Sequence, residues 1–183
     1  MQLKETRKYL NSFGKFVVQQ ARSRLTKGTK KGSKNVSKKL YNSLDYLPYV
    51  KGDVIGVQFI MEDYGKFVDQ GVKGINPSRL PKGSKRYGQQ QAPNSPFSFS
   101  GGKGGGLRKG IKEWVISKGL KGRDKKGRFI TRKSLRYMIV RSIYLSGIKP
   151  SMFFTIPFKQ AYKKLPKELQ EKFVTDLQNI IFK

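Results

Sequence analysis

The sequence contains no cysteine and no histidine, and only 11 of its 183 residues are aspartate or glutamate. The absence of cysteine excludes disulfides and thiolate chemistry, and the absence of histidine removes the commonest general base and most zinc sites. The acids are scattered, and the one cluster, Glu62 and Asp63 with Asp69, fits a surface turn beside lysines better than the Mg²⁺ site of a nuclease. We therefore expect neither an enzyme nor a cofactor.

Long apolar runs are also missing. No stretch approaches the ~18 apolar residues of a membrane span, and charged residues such as Lys4 and Arg7 interrupt the region where a secretory signal would be apolar. The hydrophobic fraction of 36% is below the ~45–50% of an average globular domain. We therefore predict a single domain over residues 1–183, with a modest core, no secretory signal and no membrane contact.

Positive charge is what the sequence has in excess, because 40 lysine and arginine residues give it a net charge of +29. Small soluble domains usually carry a magnitude of about 2–8, and a large excess attracts anionic partners. Nucleic acid is the first candidate, and acidic partner proteins are the second. Two segments without acids concentrate this charge, namely Arg22–Lys39 and the segment of about residues 72–109, which we call the arm.

Hydrophobic periodicity predicts an α+β fold. The helices predicted from apolar spacing cover residues 3–25, 38–46, 107–118, 134–146 and 158–182. Pro166 is expected in the first turn of a second helical piece within the last of them. β-Branched and aromatic residues predict a hairpin of residues 49–50 with 54–60, and turn residues predict a smaller hairpin within 121–131. The expected architecture is a small antiparallel sheet packed by amphipathic helices, with a long N-terminal helix, a C-terminal helix and a long flexible loop.

The arm is predicted to be an insertion without fixed structure in the isolated chain. It is rich in glycine, proline, serine and glutamine, and such a composition buries too little apolar area to offset an ordering entropy of ~1–2 kcal/mol per residue. We expect neighbouring proteins to order it in an assembly. Its glycine run lacks the Gly-Lys-Ser/Thr ending of a phosphate-binding loop, so it is not expected to bind nucleotides.

The rest of the chain is organised around the stretch Ser134–Phe158. Gly147 follows the last apolar residue of a predicted helix, where a left-handed cap is expected, and Pro150 prevents that helix from continuing. The bulky pair Phe153 and Phe154 comes next and is predicted to lie in the core. A capped helix followed by an aromatic pair indicates a sharp corner held by a large buried side chain.

This stretch resembles the C-terminal signature of a divergent family of tailed-phage virion proteins. Gly147-Ile148-Lys149-Pro150 and the aromatic pair after it are similar to the family's "Gly-Ile-x-Pro" and aromatic cluster. Upstream, Tyr64–Gly71 resembles its pattern of a tyrosine, a small residue, a hydrophobic residue, an acid and a glycine, although Gln70 stands where the family usually has an acid.

Two shorter matches lie in the same order along the chain. Leu40–Leu44 is similar to a leucine-bearing short helix that follows the family's basic linker, and Ile111 with Trp114 is similar to an isoleucine three places before a tryptophan. The order of the matches is more specific than any one of them. The resemblance is weakest in the arm, which shorter members of the family lack.

The resemblance implies a structural virion protein of the head–tail joining or tail-completion kind, found in the phage neck or among minor tail components. Such proteins form homo-oligomeric rings between the portal vertex and the tail. The implied partners are further copies of this chain, the portal, neck or tail proteins, and packaged DNA held by non-specific contact. The implied location is the virion, assembled in the cytoplasm of the bacterial host.

Three groups of residues are candidates for these roles. The expected DNA-channel contacts are Arg22, Arg24, Lys27, Lys30, Lys31 and Lys34. The expected docking residues of the arm, which we expect to contact protein because its prolines and aromatics suit a defined path, are Arg79, Lys82, Lys85, Arg86, Tyr87, Phe97 and Phe99. The expected core of the motifs comprises Tyr64, Gly71, Trp114, Gly147, Pro150, Phe153 and Phe154.

An alternative function is a basic nucleic-acid-binding protein without sequence specificity. The charge and the interleaved aromatic residues favour it. Against it, the sequence has no recognised RNA- or DNA-binding motif, and its basic residues are spread over every segment.

Overall fold

The computed structural model describes residues 3–27, 38–51, 54–100 and 106–181. The helices of this part of the chain are α1 (Lys4–Thr26), α2 (Lys39–Ser43), α3 (Gly65–Gln70), α4 (Gly106–Ser117), α5 (Arg132–Ser146), α6 (Thr155–Tyr162) and α7 (Leu165–Ile181). Its strands are β1 (Asp45–Lys51), β2 (Val54–Ile60), β3 (Val72–Lys73), β4 (Gly122–Arg123), β5 (Phe129–Ile130) and β6 (Gly147–Ile148). They pair as antiparallel ladders of two strands, so the predicted α+β class is confirmed.

Most predicted helices form within two residues of their predicted ends, one helix is shorter than predicted, and β1 begins four residues before the predicted 49–50. No helix was predicted at α3. The helix predicted over residues 38–46 ends at Ser43, because β1 begins at Asp45 and takes the following residues into the hairpin. The last helix consists of α6 and α7, which confirms the second helical piece predicted from Pro166. Pro166 is the second residue of α7, where the proline's missing N–H is not needed because first-turn N–H groups have no intrahelical partner.

Contacts divide the chain into two compact units. The terminal unit comprises Met1–Gly65 with Met152–Lys183, and the central unit comprises Lys66–Ser151. Each unit has buried apolar residues of its own. The single domain expected from the sequence stays a prediction.

In the terminal unit, α1 supplies most of the core, as its apolar face predicts. Its buried apolar residues are Leu10, Phe13, Val17, Val18, Ala21 and Leu25. The hairpin of β1 and β2 packs on this helix, and Tyr46 lies against Gly14 so closely that a Cβ there would overlap the tyrosine ring. Glycine in a helix costs about 1 kcal/mol relative to alanine, and here it makes room for the strand.

An aromatic cluster joins α1, the hairpin and α6 in the same unit. The Phe59 ring meets the rings of Phe13, Phe154 and Phe158 edge-on, with centroid distances of 6.1, 5.2 and 5.9 Å. Phe153 is only 1% exposed. The predicted core position of Phe153 is confirmed, while Phe154 is half-buried and contributes through its ring contacts.

The central unit is organised by α4, α5 and two short ladders. β3 pairs with β6, and β4 pairs with β5 in the hairpin predicted within residues 121–131. Its buried apolar side chains are few and come from distant parts of the sequence, namely Val72, Leu80, Ala92, Val115 and Leu145. This small core agrees with the low hydrophobic fraction of the sequence.

The arm is ordered where the structure describes it, so the prediction of a segment without structure is wrong for residues 72–100. Lys73 and Ser98 form a parallel bridge, and the N–H of Gln91 donates to the Ser146 carbonyl at 2.8 Å. Leu80 and Ala92 are buried. The prediction considered only apolar area, whereas hydrogen bonds to the ends of α5 and β3 satisfy much of this backbone. Residues 101–105 of the glycine run lie outside the described residues.

Candidate functional site

Two motifs that carry the family resemblance meet at one corner of the central unit, where β3 pairs with β6. Val72 is opposite Ile148, and Lys73 is opposite Gly147. Gly71 and Gly147 both have positive φ, +75° and +94°. A Cβ on Gly71 would meet the Ile148 carbonyl oxygen, and a Cβ on Gly147 would meet the Val72 carbonyl oxygen. Only glycine fits either position without moving the backbone.

Polar side chains close this corner from the arm and from the chain after β6. Ser95 donates to the Gly71 carbonyl at 2.8 Å, and Ser151 donates to the Val68 carbonyl at 2.7 Å. The Gln90 amide accepts from the Gly74 N–H at 2.7 Å and donates to its carbonyl at 2.9 Å. Each of these side chains bonds to a backbone group of the corner, so together they fix the path of the chain.

The predicted motif core is partly confirmed. Gly71, Gly147 and Phe153 are buried, and Pro150 is half-buried like Phe154. Tyr64 and Trp114 are 40% and 38% exposed, so their assignment to the core is wrong. Tyr64 lies in a turn beside two exposed acids, where partial burial and the charge of Glu62 raise the pKa of its hydroxyl. Trp114 lies on α4, whose buried residue is its neighbour Val115.

The arm's aromatic residues pack within the central unit. Phe97 meets Phe67 edge-on at 4.7 Å between ring centroids, and Phe99 lies 5.6 Å from Tyr144. Both phenylalanines are half-buried within the unit, and their docking role stays a prediction. Of the other docking candidates, Arg86 is half-buried, and those that remain exposed are Arg79, Lys82, Lys85 and Tyr87.

Only part of the predicted DNA-channel segment can be placed, since Lys30, Lys31 and Lys34 lie outside the described residues. Arg24 and Lys27 are exposed at the end of α1. The Arg22 guanidinium donates to the carbonyl oxygens of Tyr41 and Leu44 at 3.2 and 2.7 Å. The structure therefore gives Arg22 a role in holding α2 against α1, which the sequence did not indicate.

The outer face of the β1–β2 hairpin is a surface that the sequence analysis missed. Residues opposite each other in the register share a face, and the face turned away from α1 carries four large apolar side chains that are exposed: Leu47, Tyr49, Val54 and Ile60. We call these four residues the outer face. The sequence does hold a signal for this surface. Along β1 and β2, several of the positions between those that pack on α1 are also apolar.

Within the described residues the hairpin has no third strand, so neither of its edges is paired with another strand. A two-stranded hairpin is only marginally stable alone in water, and α1 supports just one of its faces. Open edges and an apolar outer face are features that natural proteins cover by strand addition or by an interface.

The positive charge is concentrated in the central unit, which holds 21 lysine and arginine residues and three acids. Asp69 is buried, and Asp124 forms an ion pair with Arg128 at 2.9 Å. Glu113 is thus the one acid left to balance the exposed lysines and arginines of this unit. Such a surface attracts polyanions over a distance set by the ionic strength.

The part of the chain that the structure describes contains no group of three or more acids able to hold a metal ion. It also contains no helix long and apolar enough to cross a membrane. The sequence was compared with models of protein families and with curated proteins, and the fold was compared with solved structures. No family model, no curated protein and no solved structure matches this chain.

Proposed function

We propose that this protein is a structural virion protein of a tailed bacteriophage, which forms a homo-oligomeric ring at the head–tail interface and joins the portal to the tail. The observation that supports it best is the corner of Gly71 and Gly147. The two motifs that resemble the phage family are distant in the sequence, yet they pair in space and satisfy each other's backbone groups. A motif of this kind serves architecture rather than chemistry.

Self-assembly is the role that best fits the outer face. A second copy that covers Leu47 and Val54, or pairs with an open strand edge, would remove apolar surface from water at roughly 25 cal/mol per Å². The charge of +29 on each copy opposes this association. We therefore expect the ring to be favoured by moderate salt, or by an anionic partner that neutralises the charge.

DNA and neighbouring virion proteins are the anionic partners that the ring would meet. Arg24 and Lys27 are exposed cations of the predicted channel segment. Phosphates are the constant feature of a moving duplex, so such contacts would carry no sequence preference. The exposed Lys82 and Lys85 of the arm suit acidic surfaces of a portal, neck or tail protein, in keeping with their predicted docking role.

Electron microscopy and light scattering of the purified chain test the ring. We expect closed rings for the native chain, and smaller species when Leu47→Asp and Val54→Asp are combined on the outer face. Val174→Asp is the matched control, because it places the same charge on an exposed apolar residue of α7. A monomer at all salt concentrations, or rings unchanged by the paired substitution, would contradict the proposal.

Joining of heads to tails in vitro tests the arm. Changing Lys82, Lys85 and Arg86 together to alanine should reduce joining. Exchanging Lys82 and Lys85 for arginine keeps the charge but changes the shape of the side chains, so it should also reduce joining if the arm makes a shape-specific contact. Normal joining by the triple alanine variant would show that the arm is not an essential docking element.

A second candidate is the basic nucleic-acid-binding protein, and the charge of the central unit favours it. A free binder should hold duplex DNA tightly and lose affinity steeply as salt rises, since each neutralised phosphate releases counterions. A ring component should bind protein rings specifically and DNA loosely. Titration of duplex DNA at several salt concentrations separates the two candidates.

A further inference from the structure

The hairpin of β4 and β5, with its flanks, is the most densely charged stretch of the central unit. Residues 121–133, which we call the basic hairpin, hold seven lysine and arginine residues and one acid, Asp124. Asp124 is occupied by the hairpin itself. Its carboxylate accepts from the N–H groups of Lys126 and Arg128 and from the Arg128 guanidinium, each at 2.9 Å.

Two further hydrogen bonds close the turn of the basic hairpin. The N–H of Gly127 donates to the Asp124 carbonyl at 3.0 Å, and Arg123 donates to the Gly127 carbonyl at 2.8 Å. The exposed side chains of Lys125 and Lys126 therefore project from a hydrogen-bonded turn. A turn whose backbone is already hydrogen-bonded loses less conformational entropy when an anion binds than an open loop does.

An aromatic ring lies beside these cations. Arg123 and Phe129 are opposite each other in the ladder, and the guanidinium lies 4.1 Å from the ring centroid. Phe129 is 64% exposed, the highest value among the large hydrophobic side chains of the described residues. The Arg123 guanidinium covers one face of the Phe129 ring. The rest of the ring stays exposed beside this cation.

A shallow groove of about 250 Å³ runs along the same hairpin. Its apolar lining comes from Leu120, Ile130 and Leu135 together with Phe129, and Lys121 and Arg132 also line it. Pockets for drug-sized ligands measure roughly 300–1,000 Å³, so this groove suits a smaller flat group. A nucleobase attached to a phosphate combines the flat apolar surface and the anion that this lining favours.

We propose that the basic hairpin binds single-stranded nucleic acid, with a base stacked on Phe129 beside the groove and flanking phosphates held by Lys121, Lys125, Lys126 and Arg132. Stacking on an aromatic side chain needs an exposed base face, which a duplex keeps inside its own stack. The site extends the second candidate function from contact with the phosphate backbone to contact with bases. This binding site does not depend on the proposed assembly of a phage ring.

An abasic oligomer of deoxyribose phosphate separates stacking from charge, because it has the phosphates of oligothymidylate without the bases. The full chain should bind oligothymidylate about tenfold more tightly than the abasic oligomer, since stacking is worth ~1–3 kcal/mol per base and 1.4 kcal/mol is a factor of ten. Phe129→Ala should abolish this preference and leave binding of the abasic oligomer unchanged. Phe129→Tyr, which keeps the ring, should retain the preference.

Two controls match these variants. Phe16→Ala removes an exposed phenylalanine from α1 and should keep the preference. Lys125→Ala with Lys126→Ala should weaken binding of both oligomers, and by more than Lys163→Ala with Lys164→Ala, which removes another adjacent exposed pair. Thermal unfolding checks that each variant is folded, and ultraviolet cross-linking of oligothymidylate to the peptide with Phe129 gives a direct readout.

The outcomes are distinct. Equal affinity of the native chain for the two oligomers, or a preference that survives in Phe129→Ala, would overturn this site while general binding to nucleic acid stands. Failure to bind either oligomer would overturn both this site and the second candidate function. Displacement of labelled oligothymidylate by polyglutamate as effectively as by unlabelled oligothymidylate of equal charge would also overturn it, in favour of an acidic protein partner.

Discussion

Asp176 in α7 caps the first turn of α1 by accepting the N–H of Thr6 at 2.8 Å, although the two residues are 170 positions apart. Its second carboxylate oxygen accepts the N–H of Glu5 at 3.0 Å. The N-cap residue of α1, Leu3, offers no side-chain acceptor of its own. The C-terminal helix therefore supplies the cap that the N-terminal helix lacks, and both Thr6 and Asp176 are buried.

Removal of this cap should destabilise the terminal unit. Asp176→Ala leaves two N–H groups without their acceptor, one of them on a buried residue, and should lower the free energy of unfolding by about 1–3 kcal/mol. Urea unfolding measures the change. Glu171→Ala is the control, because it removes an exposed acid from the same helix and should have little effect. Equal loss in the two variants would mean that the cap contributes nothing beyond charge.

The same cap predicts a dependence on pH. Burial opposes the charge of Asp176, but the N–H groups of Thr6 and Glu5 outweigh it and lower the pKa of this carboxyl from its usual 3.8. Since the folded pKa is the lower one, the stabilisation is present above pH ~4 and is lost as pH falls through the folded pKa. The stability difference between the native chain and Asp176→Asn should therefore narrow in acid. A difference that stays constant from neutral to strongly acidic pH would contradict this account.

Local patterns in the sequence predicted the elements well. The apolar spacing from Leu10 to Leu25 gave α1 its buried face, and Gly147 with Pro150 marked the end of α5. These signals are local, because a helix face and a helix cap depend on residues only a few positions apart. The predicted core position of Phe153 is also confirmed, in the short turn that leads into α6.

Contacts between distant segments could not be read in this way. No spacing rule links Asp176 to Thr6, or Gln91 to Ser146. The arm is ordered by hydrogen bonds to residues far along the chain. Its composition gives no sign of them, so the arm was predicted to lack structure. Trp114 shows the opposite error, since a large aromatic residue on an apolar helix face was expected to be buried and is exposed.

A pair of glycine substitutions tests the corner of the central unit. Gly147→Ala forces a side chain into φ +94° and against the Val72 carbonyl, so it should cost about 3 kcal/mol or more. Gly110→Ala is the matched control, because nothing lies within 4 Å of the added carbon and the residue is inside α4. It should stabilise the chain by about 0.5–1 kcal/mol through helix propensity. Thermal unfolding that shifted both variants in the same direction would contradict the arrangement at this corner.

Two neighbouring arginines in α1 should behave differently. Arg22 donates to two backbone carbonyls and lies over the Tyr41 ring at 5.3 Å, whereas Arg24 is exposed. Arg22→Ala should therefore lower the free energy of unfolding by about 1–3 kcal/mol, since it leaves carbonyl groups without a charged donor. Arg22→Lys should recover little of this loss, because a lysine lacks the planar fork that reaches both oxygens.

Arg24→Ala should leave the free energy of unfolding unchanged. If this end of α1 faces DNA, the same variant should bind duplex DNA more weakly and with a smaller salt dependence. Equal stability of Arg22→Ala and Arg24→Ala would show that the Arg22 bonds do not hold α2, and would return Arg22 to the set of residues free to contact DNA.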